Sequence, residues 1–416
     1  MTDEDTDGSA TRNREGPLEG LRVVDFSGMV AGGFATMTLA DFGADVVAVE
    51  HPQAGDPIRD WGPFDPDSGM SLWWKALARG KRSVTCDLST PEGHALALDL
   101  VETADVVVEN FRPGTMERWD LSYDDLREVN PGVVMVRISG YGQTGPRAEQ
   151  PGFGTVAEAI SGFAHVNGFP DREPLLPPIP LADMAAGHYA VQAAMFALFE
   201  REVGPDGDGS GEGQVVDVSL YESLFRMFPG DVEAYDRLGQ VRERRGNHHS
   251  NAAPRNVYEA QDGYVALSAS AQSIFENLAE TVGHPELLDD ERFVTNDARV
   301  EHADELDEYI APYIAERTVE EAIADLGAGD AVVAPVYDVS DVFEDEQYAA
   351  RDNLVEVADE DVGKITTHGV VPRLTRTPGA VEHLGPRHGQ HNEAVYESEL
   401  GLDEETLDDL RNQGVI

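Results

Sequence analysis

One aspartate, Asp183, stands where a carboxylate could act as a nucleophile. It lies in the segment PLAD, after a proline-rich stretch and at the start of an alanine-rich run, Asp183–Glu202, that predicts a long helix. An acid at a helix start is commonly an N-cap that accepts hydrogen bonds from backbone N–H groups. The same position near the positive end of the helix dipole would lower the pKa of the carboxyl group and keep it anionic, as a nucleophile requires. Both interpretations are open from the local sequence.

A second group of functional side chains comes at the end of a predicted strand, Asp105–Asn110. Asn110 and Phe111 are followed by two arginines, Arg112 and Arg118. If the strand belongs to a parallel sheet, these side chains lie at its carboxyl edge, where ligands bind. Arginine suits phosphate there, and Phe111 could stack on a base. The alternative is a capped turn with solvated arginines.

Glycines supply a third candidate. Gly28, Gly32 and Gly33 lie between a predicted strand, Leu21–Phe26, and a predicted helix, and Glu50 ends the next strand. Glycine lets backbone approach phosphate, and an acid after the second strand can hold a ribose. The spacing G-x-x-x-G-G differs from the dinucleotide fingerprint. The glycines therefore indicate either a ligand contact or tight packing of the turn.

Other potential ligands give weaker signals. His383, His388 and His391 lack a metal-ligand spacing and are predicted to be surface residues, so no metal site is expected. His248 is assigned to a polar loop. Cys86, in a predicted strand, is interpreted as a small core residue. The sequence contains no G-x-S-x-G, P-loop or H-E-x-x-H motif, which removes the main support for those hydrolase and nucleotidase functions.

The elements that would position these groups alternate between strand and helix. Further β-rich runs follow at Ala44–Glu50, Ser83–Leu88 and Gly132–Ser139, with helical segments between the strands. This alternation predicts an α/β protein with a doubly wound, Rossmann-like parallel sheet.

The pattern also predicts several domains. Residues 1–16 are expected to be a flexible tail and residues 17–223 a large Rossmann-like domain. From about Leu224 helices dominate, with a strand pair around Asn256–Ser268, so residues 224–328 are expected to form an inserted smaller α+β domain. Residues 329–416 are expected to return to the large domain.

Composition restricts the partners. The 416 residues include 79 acidic and 30 basic side chains, a net charge of −49, which argues against nucleic acid and anionic membranes. The acids are spread along the chain and 41% of residues are hydrophobic, a pattern typical of a folded protein in the cytoplasm of a salt-accumulating halophile. A single cysteine excludes an intrachain disulfide, and no signal peptide or membrane-spanning run is recognised.

Seven segments, in chain order, carry a resemblance to a known family: PLEGLRVVDFSGMVAGG, LADFGADVVAVEHPQAGDPIR, GKRSVTCDLSTPEG, ADVVVENFRPGTMERWDLSYDDLREVNP, ISGYGQTGP, GEGQVVDVSLYES and GQHNEAVYESELGL. Together they resemble the class III CoA-transferase family, which includes formyl-CoA and carnitine-type CoA-transferases. The resemblance covers nearly everything after residue 16.

The resemblance implies that Asp183 is the catalytic nucleophile. In the family this carboxylate attacks a donor thioester to give a mixed anhydride, and CoA then forms an aspartyl-CoA thioester that passes CoA to an acceptor carboxylate. The implied partners are an acyl-CoA and a carboxylic acid. CoA is part of the substrates, and no tightly bound cofactor is expected. The family fold implies an interlaced homodimer.

The resemblance also implies a set of CoA contacts. They are Met29, Val30, Ala31, His51, Cys86, Leu88, Asn110, Phe111, Arg118 and Tyr141. His51 stands where some relatives have an arginine directed to the CoA phosphates, and Arg59 or Lys81 is expected to supply that charge instead.

Substrate choice is less determined. No Gly-Gly run occurs between Gly239 and Pro254, which argues against formyl-CoA, and Arg245-Gly246-Asn247 resembles the carnitine-like and dicarboxylate-like branches. Arg112, Arg147 and Arg245 would suit a dicarboxylate such as succinate, mesaconate or malate. The main hypothesis is an acyl-CoA:carboxylate CoA-transferase, for which succinyl-CoA is a candidate donor and mesaconate a candidate acceptor. A 2-methylacyl-CoA racemase and a non-enzymatic CoA- or dinucleotide-binding regulatory protein are the alternatives.

Overall fold

The structure is a computed structural model that describes residues 16–416, so the expected tail lies outside it except for Gly16. The described chain divides into two units. The larger comprises residues 16–161, Pro177–Pro229 and Ala350–Ile416, and the smaller comprises Gly162–Leu176 and Gly230–Ala349.

The first half of the chain alternates between strand and helix. Its elements are β1 (Arg22–Asp25), α1 (Ala31–Asp41), β2 (Asp45–Glu50), α2 (Leu72–Leu77), β3 (Lys81–Thr85), α3 (Pro91–Val101), β4 (Val106–Glu109), α4 (Thr115–Arg118), α5 (Tyr123–Val129), β5 (Val134–Ser139), α6 (Gly154–Ile160), α7 (Phe163–Val166), α8 (Leu181–Glu202), β6 (Val215–Ser219) and α9 (Leu220–Phe225).

Six of these strands form one parallel sheet in the order β3-β2-β1-β4-β5-β6. β1, β2, β4 and β5 are rich in valine, and β1 to β5 are buried along nearly their whole length, as expected for a sheet covered on both faces. The α/β fold with a Rossmann-like sheet is therefore confirmed. The strand order reverses between β1 and β4, and the loops after these two strands flank the resulting switch point.

The long helix α8 packs closely against α1 because its buried face consists of small residues. The buried residues are mainly alanines, and Gly187 lies among them. A Cβ at Gly187 would lie 2.9 Å from the carbonyl oxygen of Ala31 and 3.0 Å from the ring of Phe34. The two backbones therefore approach each other more closely than a larger side chain would permit, which brings the start of α8 near the switch point.

The remaining elements are mostly helical. They are α10 (Asp231–Leu238), β7 (Arg255–Glu259), β8 (Tyr264–Ser268), α11 (Gln272–Thr281), α12 (Asn296–Glu301), α13 (Ala303–Ala315), α14 (Val319–Ala328), β9 (Val332–Pro335), α15 (Val339–Glu344), α16 (Glu346–Ala350), β10 (Leu354–Asp359), β11 (Gly363–His368) and α17 (Glu404–Gln413).

The smaller unit has its own antiparallel sheet, β7-β8-β9, and its own core beneath it. β7 and β8 form the predicted hairpin, with Asp262 and Gly263 in the turn. β9 pairs with β8, so the strand expected to lead back to the large domain lies in this unit. For that reason the unit reaches Ala349 rather than ending at residue 328, and it also takes in the earlier segment Gly162–Leu176.

Candidate active site

The switch point brings two of the sequence candidates together. Asn110 accepts a hydrogen bond from the N–H of Gly28 at 3.0 Å and donates one to the carbonyl oxygen of Gly28 at 2.6 Å. This amide pair joins the residue after β4 to the turn after β1. The glycine turn and the Asn110 segment therefore lie side by side at the carboxyl ends of β1 and β4, as the doubly wound topology requires.

The turn itself is held in an unusual conformation. Met29 has φ of 61°, in the left-handed region that non-glycine residues rarely adopt. Its N–H donates to Oδ1 of Asp56 at 3.0 Å, and the same oxygen accepts from Ile58 N–H at 2.9 Å at the start of a 3₁₀ helix, Pro57–Asp60. Sequence reasoning missed Asp56, although an aspartate directly before Pro57 is a recognisable helix cap. Burial, with a contribution from the charge of Glu50, raises the pKa of Asp56 to about 6.

Glu50 does not present a free carboxylate for a ribose. Arg59 donates to both of its oxygens at 2.7 Å, and the hydroxyl of Ser83 and the N–H of Asp56 donate as well. Burial alone would raise the pKa of Glu50, but the hydrogen bonds and charge of Arg59 outweigh burial and lower it. The expectation of a ribose ligand is corrected, because the carboxylate is already bound inside the fold.

The two cations expected to replace an arginine at position 51 also have internal partners. Arg59 is paired with Glu50 and lies 3.6 Å above the ring centroid of Trp74. Lys81 is 3% exposed, and its Nζ contacts Oδ2 of Asp25 at 3.2 Å and the carbonyl oxygen of Gly33 at 3.0 Å. Lys81 is therefore placed to stabilise the sheet.

The predicted CoA contacts differ in exposure. Cys86 and Leu88 are in the hydrophobic core, where burial raises the pKa of the Cys86 thiol to about 12, so neither side chain presents a surface to a ligand. Val30 and Ala31 are buried at the start of α1, which has no side-chain cap. Its first N–H groups are consequently the feature that could meet an anion here.

Other predicted contacts are accessible. His51 is exposed, with Nδ1 accepting from the N–H of Gln53 at 3.2 Å. Phe111 is half-buried and packs edge-on against Trp119, and Tyr141 is half-buried near Tyr221.

Arg118 is an exposed arginine at the end of α4. Its guanidinium donates to the carbonyl oxygen of Gly114 and to Oγ1 of Thr115, both at 2.9 Å. Within residues 16–416 no carboxylate pairs with Arg118, nor with the exposed Arg112 and Arg147. These side chains keep their positive charge available in a very acidic protein.

Asp183 lies in the first turn of α8, but it is not the N-cap. The helix begins at Leu181, two residues earlier than predicted, and its N-cap is Pro180, which cannot cap with a side chain. The half-buried carboxylate of Asp183 approaches α6, where a Cβ on Gly154 would lie 2.1 Å from Oδ2. The missing side chain at Gly154 therefore creates the space that Asp183 occupies.

A second acid, Glu158 of α6, supplies the missing cap. Glu158 is 3% exposed, and its Oε1 accepts hydrogen bonds from the N–H groups of Leu181 at 3.1 Å and Ala182 at 3.4 Å. Sequence reasoning missed Glu158 because a cap contributed by another helix leaves no local pattern. Glu158 and Asp183 thus meet where α6 contacts the start of α8.

The electrostatics of Asp183 are opposite to the expectation. Burial, and next the negative charge of Glu158, raise the pKa of Asp183 to about 6, opposed by its own backbone N–H. The expected lowering is wrong because burial and the charge of Glu158 outweigh the favourable backbone N–H. Burial raises the pKa of Glu158 as well. Above pH 6 Asp183 is nevertheless mostly ionised, as a nucleophile must be.

The C-terminal segment GQHNEAVY covers an edge of the sheet. His391 Nδ1 accepts from the N–H of Ser83 at 3.0 Å, and Asn392 accepts from the N–H of Thr85 at 2.8 Å. The segment thus satisfies the free edge of β3. The prediction of a surface residue holds for the exposed His388 but is wrong for His391, which binds backbone.

In the smaller unit, His248 has a carboxylate partner. Its Nε2 lies 2.7 Å from Oδ2 of Asp307, which also accepts hydrogen bonds from Asn256 and Tyr258 and raises the pKa of the imidazole. His248 lines a cavity of about 480 Å³ together with the exposed Arg245. The predicted polar loop is therefore ordered by a hydrogen-bonded cluster.

The described chain also lacks two features, a membrane-spanning helix and a cluster of metal ligands. Between Gly16 and Ile416 no helix is both long enough and apolar enough to cross a bilayer. In the same range no three histidine, cysteine or acidic side chains are grouped as metal ligands would be.

A comparison with protein families assigns the chain to a family. The model of CoA-transferase family III matches residues 18–392, and the chain belongs to this family. It is therefore an enzyme of the CoA-transferase class, and the hypothesis of a non-enzymatic regulatory protein is excluded.

Two relatives and one solved structure illustrate the similarity. The chain is 42% identical over 401 residues to the succinyl-CoA–D-citramalate CoA-transferase of Chloroflexus aurantiacus, covering 96% of this chain and 98% of that one. It is 39% identical over 404 residues to the β subunit of the succinyl-CoA–L-malate CoA-transferase of the same organism, with 96% and 98% covered. A crystal structure of a CaiB/BaiF family protein from Brucella suis gives a TM-score of 0.82 at 32% identity, covering 92% of this chain and 99% of that chain.

Proposed function

We propose that this protein transfers CoA from succinyl-CoA to a second dicarboxylic acid through an aspartyl-CoA thioester on Asp183. The observation that carries the proposal is the half-buried carboxylate of Asp183 in the first turn of α8, in the space left by Gly154, with no cation paired to it in residues 16–416. A carboxylate engaged in an ion pair would be a poorer nucleophile.

The reaction balances without any further reagent. An oxygen of Asp183 bonds to the thioester carbonyl carbon of the donor, the C–S bond breaks, and CoA leaves as its thiolate. The thiolate attacks the Asp183 carbonyl of the resulting anhydride, which releases the donor acid and leaves CoA on Asp183. The acceptor carboxylate attacks this thioester and frees the thiolate again. The thiolate then attacks the acceptor carbonyl of the second anhydride and regenerates Asp183.

We place CoA at the switch point of the sheet. Three features support this: the uncapped N-terminus of α1, the turn that Asn110 and Asp56 fix, and the unpaired guanidinium of Arg118. A phosphate is a suitable ligand for a helix N-terminus and for arginine. Of the CoA contacts implied by the family, the residues that are not buried are Met29, His51, Asn110, Phe111, Arg118 and Tyr141.

The acceptor is proposed to be a small dicarboxylate. Both transferase relatives described above are named for such acids, citramalate and malate, with succinyl-CoA as donor. The unpaired arginines Arg112 and Arg147 in the larger unit and Arg245 in the smaller one offer guanidinium groups to a second carboxylate. Mesaconate belongs to the same chemical class and remains a candidate acceptor.

We further propose that the enzyme is a homodimer. Each unit exposes large apolar side chains that are unexpected on so charged a chain. On α8 of the larger unit Phe196 and Phe199 are 65% and 63% exposed, and on α10 of the smaller unit Tyr235 and Leu238 are 63% and 68% exposed. Apolar patches of this kind mark protein–protein contacts.

The test is an exchange assay in molar KCl, with succinyl-CoA as donor and citramalate, malate, mesaconate, glutarate and acetate as acceptors. The wild type is expected to form the CoA ester of at least one dicarboxylate. Asp183→Asn should lose at least about 10³-fold in kcat while retaining its circular dichroism spectrum. Hydroxylamine should trap a hydroxamate on Asp183 during turnover. Full activity of Asp183→Asn would refute the mechanism, and α-deuterium exchange without an acceptor acid would favour the racemase instead.

A further inference from the structure

Glu158 differs from the other buried acids of the described chain. Four of the five have a cationic partner within ion-pair distance: Asp25 with Lys81, Asp41 with Arg79, Glu50 with Arg59 and Glu109 with Arg137. Within residues 16–416 no lysine, arginine or histidine pairs with Glu158. A buried carboxylate without a cation is strongly unfavourable, so its retention needs a reason.

Helix capping does not supply that reason. Both hydrogen bonds of Glu158 go to one oxygen, Oε1, from the N–H groups of Leu181 and Ala182. The amide oxygen of a glutamine would accept the same two hydrogen bonds without a charge. The capping geometry therefore accounts for an acceptor at position 158, but not for a negative one.

The charge of Glu158 faces Asp183. A Cβ on Gly154 would lie 2.1 Å from Oδ2 of Asp183 and 3.9 Å from Oε1 of Glu158, so both carboxylates border the same glycine. The elements packed on α6 and α8 add no free cation. Their titratable groups near the contact have partners of their own: Asp41 with Arg79, Arg137 with Glu109, Asp217 with the N–H of Gln143, and Tyr221 with Glu222.

We propose that Glu158 is a positioning residue whose buried negative charge destabilises the free carboxylate of Asp183 and so favours its conversion into the neutral acyl and thioester forms. This inference rests on the proposed function of Asp183. When the oxygen of Asp183 bonds to the donor carbonyl and the C–S bond breaks, the negative charge leaves with the thiolate sulfur. The repulsion between the two side chains is then relieved. A more basic carboxylate is also a better nucleophile.

The variant Glu158→Gln removes the negative charge but keeps an oxygen that can cap α8, so it tests the charge alone. The matched control is Glu128→Gln, which removes an exposed acid from α5 of the same unit. The measurement is the single-turnover rate at which succinyl-CoA forms the aspartyl-CoA thioester, without acceptor, as a function of pH. The wild type and Glu128→Gln should lose activity as the pH falls through about 6, the pKa of Asp183. In Glu158→Gln the pH at which the rate falls to half should be lower by about one pH unit. The maximal rate at high pH should fall about threefold.

The outcomes distinguish the inference from the proposed function. If Glu158→Gln has the wild-type pH dependence and maximal rate while Asp183→Asn is inactive, Glu158 only caps α8 and the inference is overturned alone. If Asp183→Asn keeps full activity, both the proposed role of Asp183 and the inference about Glu158 are refuted. Should Glu158→Gln fail to fold, Glu158→Asp retains the charge and should keep the half-maximal rate near pH 6. A half-maximal rate displaced to lower pH in Glu158→Asp would contradict the inference.

Discussion

The larger unit holds buried acids in two ways. At the switch point, Asp25 and Glu50 are bound by Lys81 and Arg59, and their oxygens accept hydrogen bonds from the backbone and side chains around them. Where α6 meets α8, Glu158 and Asp183 border one glycine, and no cation of the described chain joins them. The two places lie in one unit and differ in what neutralises the charge.

The difference lies in what opposes the effect of burial on each carboxylate. Burial opposes ionisation of the paired acids too: at Glu50 the hydrogen bonds and charge of Arg59 outweigh burial and lower the pKa, whereas at Asp41 and Glu109 burial outweighs the arginine and raises the pKa. An unpaired acid is held at high energy, so the pKa of Asp183 rises to about 6. If Asp183 reacts as proposed, its conversion into a neutral form would relieve the repulsion from Glu158.

The largest effect is expected from breaking a switch-point pair. Lys81→Met leaves Asp25 buried without its cation and should lower the free energy of unfolding by about 3–5 kcal/mol. Urea unfolding in molar KCl measures this. The control is Lys364→Met, because Lys364 and its partner Glu356 are exposed, and it should cost less than about 1 kcal/mol. Equal losses would show that burial of the pair is unimportant.

The next effect concerns the space around the unpaired acid. Gly154→Ala places a Cβ where Oδ2 of Asp183 lies, and displacing the carboxylate should reduce kcat about 10²-fold, equivalent to about 2.7 kcal/mol. The control is Gly327→Ala in α14, where an added Cβ meets nothing within 4 Å and should leave kcat unchanged. A fully active Gly154→Ala enzyme would mean that Asp183 reacts from another position.

A smaller effect, on stability, follows from the raised pKa of Asp183. Since folding raises this pKa from 3.8 to about 6, the cost to stability is full above pH 6, declines as the pH falls from 6 towards 3.8, and is lost only below the pKa of the unfolded chain. Asp183→Asn should therefore stabilise the protein by about 1 kcal/mol at pH 7.5, allowing for its partial exposure, and the gain should shrink as the pH falls below 6 and vanish below about pH 3.

The matched control has the opposite sign. At Asp359, burial is outweighed by hydrogen bonds that include those of Lys75, and the pKa is lowered. Asp359→Asn should destabilise the protein at pH 7.5. Thermal unfolding at several pH values compares the two variants, and a loss of stability in both would remove the distinction between paired and unpaired acids.

The smallest effect is expected at Arg118, at the exposed edge of the proposed CoA site. Arg118→Met should raise KM for the CoA thioester about threefold with kcat unchanged, because an exposed arginine contributes less than about 1 kcal/mol. Arg351→Met, which removes another exposed arginine of the same unit, should leave KM as it is. The difference should shrink as KCl is raised, since salt screens exposed charges. A change in kcat instead would place Arg118 in the reaction itself.

Sequence reasoning predicted the parallel sheet, the hairpin of the smaller unit and the position of Asp183 near a helix start. These follow from valine-rich runs, turn residues and an alanine-rich helix, all of which are local patterns. The prediction that Glu50, Arg59 and Lys81 are free to bind a ligand is wrong, because local sequence does not show that each of them has a partner inside the fold. Asp56 left a local signal, a cap before proline, that was overlooked.

The sequence by itself determined the class of this enzyme and the residue expected to react, because strand and helix periods and the order of motifs are properties of the chain. Tertiary structure decided the state of that residue. Glu158 reaches α8 across 23 positions of sequence, and Lys81 reaches Asp25 across 56. Whether a buried acid meets a cation or another acid depends on such distant contacts, and the strength of a charge interaction is set by distance and burial in space.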